Sequence, residues 1–154
     1  MKNVTVNALM DEKVKGVPVE GMEGFTHHFA NVNETRIHYV MGGSGPAIVL
    51  FHGWPYSWFE WRNIMPALST AGFTVIAPDL RGFGDSDKPD SGYLKTNVAK
   101  DIYELVKQLG FDKINLIGVD IGMMVAYAYA SSYPDKVNHL VLAEGVLPGF
   151  GVKK

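Results

Sequence analysis

Ala47-Ile48-Val49-Leu50-Phe51 is apolar at every position. A run this short and this continuous suits a strand covered on both faces, which is the signature of a parallel sheet held between helical layers. Phe73 to Ala77, Lys113 to Ile117 and Val137 to Ala143 are further strand-sized segments. Helical patterns separate them. Trp58 to Ala71 reads as a helix stopped by Gly72. Leu94, Val98, Ile102, Leu105, Val106 and Leu109 recur at helical spacing, and Gly110 caps that segment. Ile121 to Tyr133 reads as a helix stopped at Pro134.

Upstream, Phe25 to Asn31 and Thr35 to Met41 flank Asn33 as the two arms of a hairpin. Asp79 to Gly92 is a long loop rich in Gly, Asp and Pro. Residues 1–23 are polar and weakly patterned, an extended and partly mobile lead-in. Residues 24–154 form the core domain, closed by Pro148 and its neighbouring glycines. An antiparallel start followed by strand–helix alternation predicts an α/β fold, a three-layer α/β/α arrangement around a mostly parallel sheet. Ligands of such sheets bind beyond the carboxyl ends of the strands. The segments after Phe51, Ala77, Ile117 and Ala143 are therefore the ones to inspect.

With 154 residues, 47% of them hydrophobic and 19% charged, the chain has the composition of one packed domain. A net charge of −2 without a basic cluster argues against a nucleic-acid partner. No apolar run approaches the roughly 20 residues of a membrane span, and no signal peptide is visible, so the expectation is a cytoplasmic protein. Cysteine is absent, which removes disulfides, thiolate metal sites and cysteine nucleophiles. His27 and His28 are a poor metal pair, because adjacent strand residues point to opposite faces. No metal and no cofactor is expected.

Gly118-Val119-Asp120-Ile121-Gly122 has the form G-x-nucleophile-x-G between an apolar strand and a helix. The tight turn needs small residues two before and two after its centre. Amide hydrogens at the start of the following helix favour an anion there. Aspartate at the centre is ionised at neutral pH and needs no base to attack. It can displace a leaving group at an sp3 carbon and become an ester. Water activated by a histidine must then attack that ester, with the oxyanion held by two backbone N–H groups, that of Ile121 and one from the loop after Phe51. The competing reading is an aspartate that caps its own helix.

His52-Gly53-Trp54-Pro55 follows the first buried strand, and Pro78-Asp79-Leu80-Arg81-Gly82-Phe83-Gly84-Asp85-Ser86-Asp87-Lys88-Pro89 follows the second. With the aspartate elbow, these segments resemble the α/β-hydrolase fold, specifically its epoxide hydrolase and haloalkane or haloacid dehalogenase branch, over about residues 25 to 150. The resemblance implies strand order 1-2-4-3-5-6 with an antiparallel first strand. It implies Asp120 as nucleophile, with the backbone N–H groups of Trp54 and Ile121 as oxyanion hole. His52 and Gly53 with Gly118 and Gly122 are structural parts of the motifs. Trp54, Pro55 and Trp58 are candidates to contact substrate, with helix packing the alternative for Trp58. Glu144, just past the strand Val137 to Ala143, is a candidate for the acid that orients a catalytic histidine, or a strand-end carboxylate capping the next segment. The chain departs from the family at Val119, Ile121, Met123 and Trp54. Met123 on the elbow helix is expected to crowd the site, and Trp54 stands where many haloalkane dehalogenases have a halide-binding Asn.

The family's catalytic histidine and the cap domain with its tyrosines lie beyond this stretch. Of His27, His28, His38, His52 and His139, the first three fall in the edge hairpin and His139 at the wrong end of its strand; none suits the base. The chain thus reads as the N-terminal part of an epoxide hydrolase-like enzyme, without cap and without deacylation machinery. Its substrate is a small hydrophobic epoxide, or in the dehalogenase alternative a halogenated compound. The remaining alternative is a non-catalytic fragment. An uncovered last strand predicts self-association, a homodimer through the sheet edge.

Overall fold

The computed structural model describes residues 16–146. Seven strands form one sheet: β1 (Val17–Pro18), β2 (Phe25–Val32), β3 (Thr35–Gly43), β4 (Ala47–Phe51), β5 (Thr74–Pro78), β6 (Ile114–Val119) and β7 (Val137–Ala143). Three helices accompany them: α1 (Met65–Thr70), α2 (Lys95–Gln108) and α3 (Ile121–Ser132). The sheet order is β1-β2-β3-β5-β4-β6-β7. Apart from the two-residue β1, this is the expected order. The hairpin turns on Asn33 and Glu34, both at positive φ (44° and 59°), the geometry of a tight two-residue connection. β3 runs antiparallel to both β2 and β5, and β4, β5, β6 and β7 are parallel.

Strand parity distributes the core between the faces. Ala47, Val49 and Phe51 point to a cluster with Val98, Ile102 and Leu105 of α2 and Val125, Ala126 and Tyr129 of α3. Ile48 and Leu50 point the other way, to Trp58, Trp61 and Met65. α3 is apolar on most sides because it lies between the sheet and α2; Tyr103 of α2 stacks on Tyr133 just beyond its end, ring centroids 4.0 Å apart.

One expectation is corrected. The segment Trp58 to Ala71 is not one helix but a 3-10 turn, Trp58–Trp61, followed by α1. Pro66 occupies the first turn of α1, where its missing N–H is harmless but its ring disfavours helix in the residues before it. Of the expected lead-in, residues 1–15 lie outside the described residues. Val17–Pro18 pairs with β2 and Val19 is buried in the second cluster. The closing turn at Pro148 also lies outside the described residues.

The loop after β5 is built in rather than solvated. Asp79, Arg81 and Ser86 are buried. Arg81 grips Asp101 of α2 through Nε and Nη2 at 2.9 and 2.6 Å, and its Nη2 also donates to the Asn33 carbonyl at 3.1 Å. One guanidinium therefore joins loop, helix and hairpin turn. No helix among the described residues is long and apolar enough to cross a membrane.

Candidate active site

β6 ends at Val119, and the chain turns into α3 through Asp120 at φ 51° and ψ −121°. The turn is held on both sides. The Asp120 N–H donates to the Ala143 carbonyl of β7 at 3.2 Å. A Cβ on Gly122 would lie 2.3 Å from the Phe51 carbonyl oxygen, and one on Gly118 2.5 Å from that of Gly122. Both flanking glycines are thus required by backbone approach, as the motif's spacing implies. The Asp120 side chain makes no capping hydrogen bond to its own helix. It is exposed, and its Oδ1 accepts the Trp54 N–H at 2.9 Å. That N–H foremost, and the Ile121 N–H next, hold its carboxyl below the ordinary range. Of the two amides expected for an oxyanion hole, that of Trp54 donates directly to the Asp120 carboxylate.

The turn after β4 supplies the first of them. Gly53 lies so near that a Cβ there would meet Asp120 Cβ at 3.0 Å. His52 is fully buried; its Nε2 accepts the Leu80 N–H at 3.0 Å, so its Nδ1 carries the proton and donates to the Gly53 carbonyl at 2.9 Å. Burial lowers its pKa and keeps the ring neutral. His52 is thus a strut between two loops, with both ring nitrogens engaged.

The remaining candidates spread out. Trp54 is 67% exposed, and the Trp54–Pro55 peptide is cis. Pro55 lines a cleft of about 710 Å³ with Tyr56, Phe59, Arg62 and Phe83, and that lining includes neither Asp120 nor Trp54. Trp58 does not face open space: it packs in the core, edge-on to His27 and Phe59. Glu144 is exposed at φ 53°, one residue past the carbonyl that binds the Asp120 N–H. The Met123 side chain lies against Gly145. It is buried, and Gly145 leaves room for its end, since a Cβ there would fall 2.5 Å from Met123 Cε.

None of the five histidines hydrogen-bonds Asp120. His139 Nδ1 meets Asn115 Oδ1 near the start of β6, far along the strand from the elbow. The edge hairpin holds a surprise in His38, which is completely buried; its Nδ1 donates to Asp79 Oδ2 at 2.8 Å and its Nε2 lies 2.9 Å from His27 Nδ1. The antiparallel register that sets Tyr39 against Pro78 brings this pair together. His38, Asp79 and Asp85 approach closely enough to share a cation, but Asp79 already receives the N–H groups of Trp58 and Asp85 as well as His38. Sequence reasoning also missed Glu60, which accepts the Gly53 N–H at 2.7 Å. Its one signal was a charge within the aromatic run Trp58-Phe59-Glu60-Trp61.

Residues 46–152 match the family model described as alpha/beta hydrolase fold. The chain belongs to that family. Among its relatives this α/β hydrolase is 52% identical over 124 residues to a soluble epoxide hydrolase of Corynebacterium sp. (strain C12), covering 80% of this chain and 43% of the relative. It is 35% identical over 133 residues to a fluoroacetate dehalogenase of Burkholderia sp, covering 83% and 43%. The solved structure of the ligand-free epoxide hydrolase CorEH superposes with a TM-score of 0.79 at 50% identity, over 84% of this chain and 46% of that one. The chain spans less than half the length of these relatives.

Proposed function

We propose that this chain carries the nucleophile-bearing part of an epoxide hydrolase-like enzyme. The observation that carries the reading is the Asp120 carboxylate, exposed, making no capping hydrogen bond to its own helix and seated on the Trp54 N–H at 2.9 Å. A carboxylate so placed attacks a ring carbon of the epoxide. The new Asp120–carbon ester bond forms as the ring C–O bond breaks, and the alkoxide takes a proton from solvent water. In the second step water attacks the ester carbonyl, the Trp54 and Ile121 N–H groups hold the oxyanion, and the diol leaves. Exposed Trp54 and Pro55 are the substrate-contacting residues, and Glu144 is the candidate acid for orienting the histidine that would activate water. With no histidine at Asp120 among the described residues, the chain is expected to be alkylated without turning over.

The epoxide hydrolase relatives support this substrate class. The fluoroacetate dehalogenase relative supports a second reading, displacement of halide by the same carboxylate. Self-association through the open edge of β7 belongs to the same proposal, with a second copy as partner.

Incubation with a reactive terminal epoxide, followed by intact mass and peptide mapping, tests the nucleophile. One adduct on Asp120, lost in Asp120→Asn, is expected. Continuing diol release by the chain, or an adduct that persists in Asp120→Asn, would overturn the reading. Halide release from a haloacid in a parallel sample would favour the dehalogenase.

A further inference from the structure

Gly53 creates a mechanical problem. It has the loosest backbone of any residue type, yet it sits directly before the amide that holds Asp120. A side chain there would crowd the site, because its Cβ would meet Asp120 Cβ at 3.0 Å. Rigidity must be supplied from outside. The Gly53 carbonyl, in the same peptide unit as the Trp54 N–H, accepts from His52 Nδ1 at 2.9 Å and from the Tyr56 N–H at 3.0 Å. The Gly53 N–H, in the preceding unit, donates to Glu60 Oε2 at 2.7 Å.

We infer that Glu60 is a positioning residue for this site: by accepting the Gly53 N–H it locks the turn that presents the Trp54 N–H to Asp120. The inference rests on the reading of Asp120 given above. A hydrogen bond from an amide to a carboxylate is charge-assisted and stronger than an amide–carbonyl one. Its acceptor is firmly mounted. Buried Trp58 and Trp61 flank Glu60, the Trp58 N–H donates to Asp79 Oδ1 at 2.7 Å, and Ser57 Oγ accepts the Phe59 N–H at 3.4 Å. Two acidic residues thus share the work. Asp79, braced by His38, fixes the 3-10 turn, and Glu60 on that turn fixes Gly53. Hydrogen bonds at both ends of the Gly53–Trp54 peptide also polarise it, making the Trp54 N–H a better donor.

The test pairs Glu60→Gln, which keeps an oxygen acceptor, with Glu60→Met, which removes it at similar size. In the unaltered chain, the Gly53 and Trp54 amide hydrogens should exchange slowly with solvent, and both should exchange faster in Glu60→Met. In Glu60→Met the Asp120 carboxyl, followed by carbon NMR, should titrate closer to an ordinary aspartate. Alkylation by a terminal epoxide should slow about tenfold in Glu60→Met and stay within about twofold in Glu60→Gln, as expected when geometry rather than charge is lost. Gly53 and Trp54 amides whose exchange is unchanged in Glu60→Met, or Glu60→Met with unchanged Asp120 titration and alkylation, would overturn the inference. If Glu60→Met does not fold, the Gly53 amide of the unaltered chain decides: fast exchange there would overturn the inference. An Asp120→Asn chain that is still alkylated would instead refute the nucleophile and leave the amide-exchange result for Glu60 standing on its own.

Discussion

Asp120 occupies a backbone conformation that costs a non-glycine residue roughly 1–3 kcal/mol and persists only where its surroundings over-determine it. Here the surroundings are backbone: the Ala143 carbonyl on one side, the Gly118 and Gly122 approaches on the other. Gly122→Ala would drive a methyl into the Phe51 and His52 carbonyl oxygens at 2.3 and 2.6 Å, groups fixed in or beside the sheet. It should destabilise the chain by roughly 2–3 kcal/mol, the cost of overpacking, seen as a lower urea midpoint at unchanged slope. A loss below about 0.5 kcal/mol would mean that the elbow relaxes, within the range of an ordinary surface change. The spacing of Gly118, Asp120 and Gly122 made this feature legible, because each residue is demanded by local geometry. Glu60 and the His38–Asp79 pair were not legible. Glu60 reaches Gly53 through a 3-10 turn that the residue pattern does not mark, and His38 and Asp79, far apart in sequence, meet only through the sheet register.

Strands with apolar residues at every position were the easiest elements to read, since burial on both faces leaves no other solution. The segment from Trp58 misled because Trp58, Trp61 and Met65 satisfy helical spacing while packing from two separate pieces of backbone. β7 is different again. It is the last strand of the sheet among the described residues, with Leu140 37% and Val141 50% exposed on its two faces. An open edge with apolar residues invites pairing with another copy. Sedimentation should show self-association rising with concentration, and Val141→Lys should reduce it, since a lysine on an edge strand discourages pairing. A chain that stays monomeric at high concentration would remove the edge as an interface.

Protonation links these parts to the stability of the whole domain. Burial lowers the pKa of His52 and of His27 below the ordinary 6.5, so the unfolded chain binds these protons more readily than the folded one. The stability they contribute is complete above pH 6.5 and declines as pH falls through the lower folded values. Asp79, held below 3.8 by the His38 and backbone hydrogen bonds that outweigh its burial, adds a further loss at lower pH. The thermal midpoint should therefore fall between pH 7 and pH 5, and His52→Gln should flatten part of that slope. A midpoint independent of pH over this interval would contradict the neutral, buried His52. The strand order carries a last implication. β3 joins the sheet through β5, not through β4, which follows it in sequence. On the ribosome, the hairpin made first must wait until Pro78 has emerged before it has anything to dock on, so no shorter nascent chain can complete that contact.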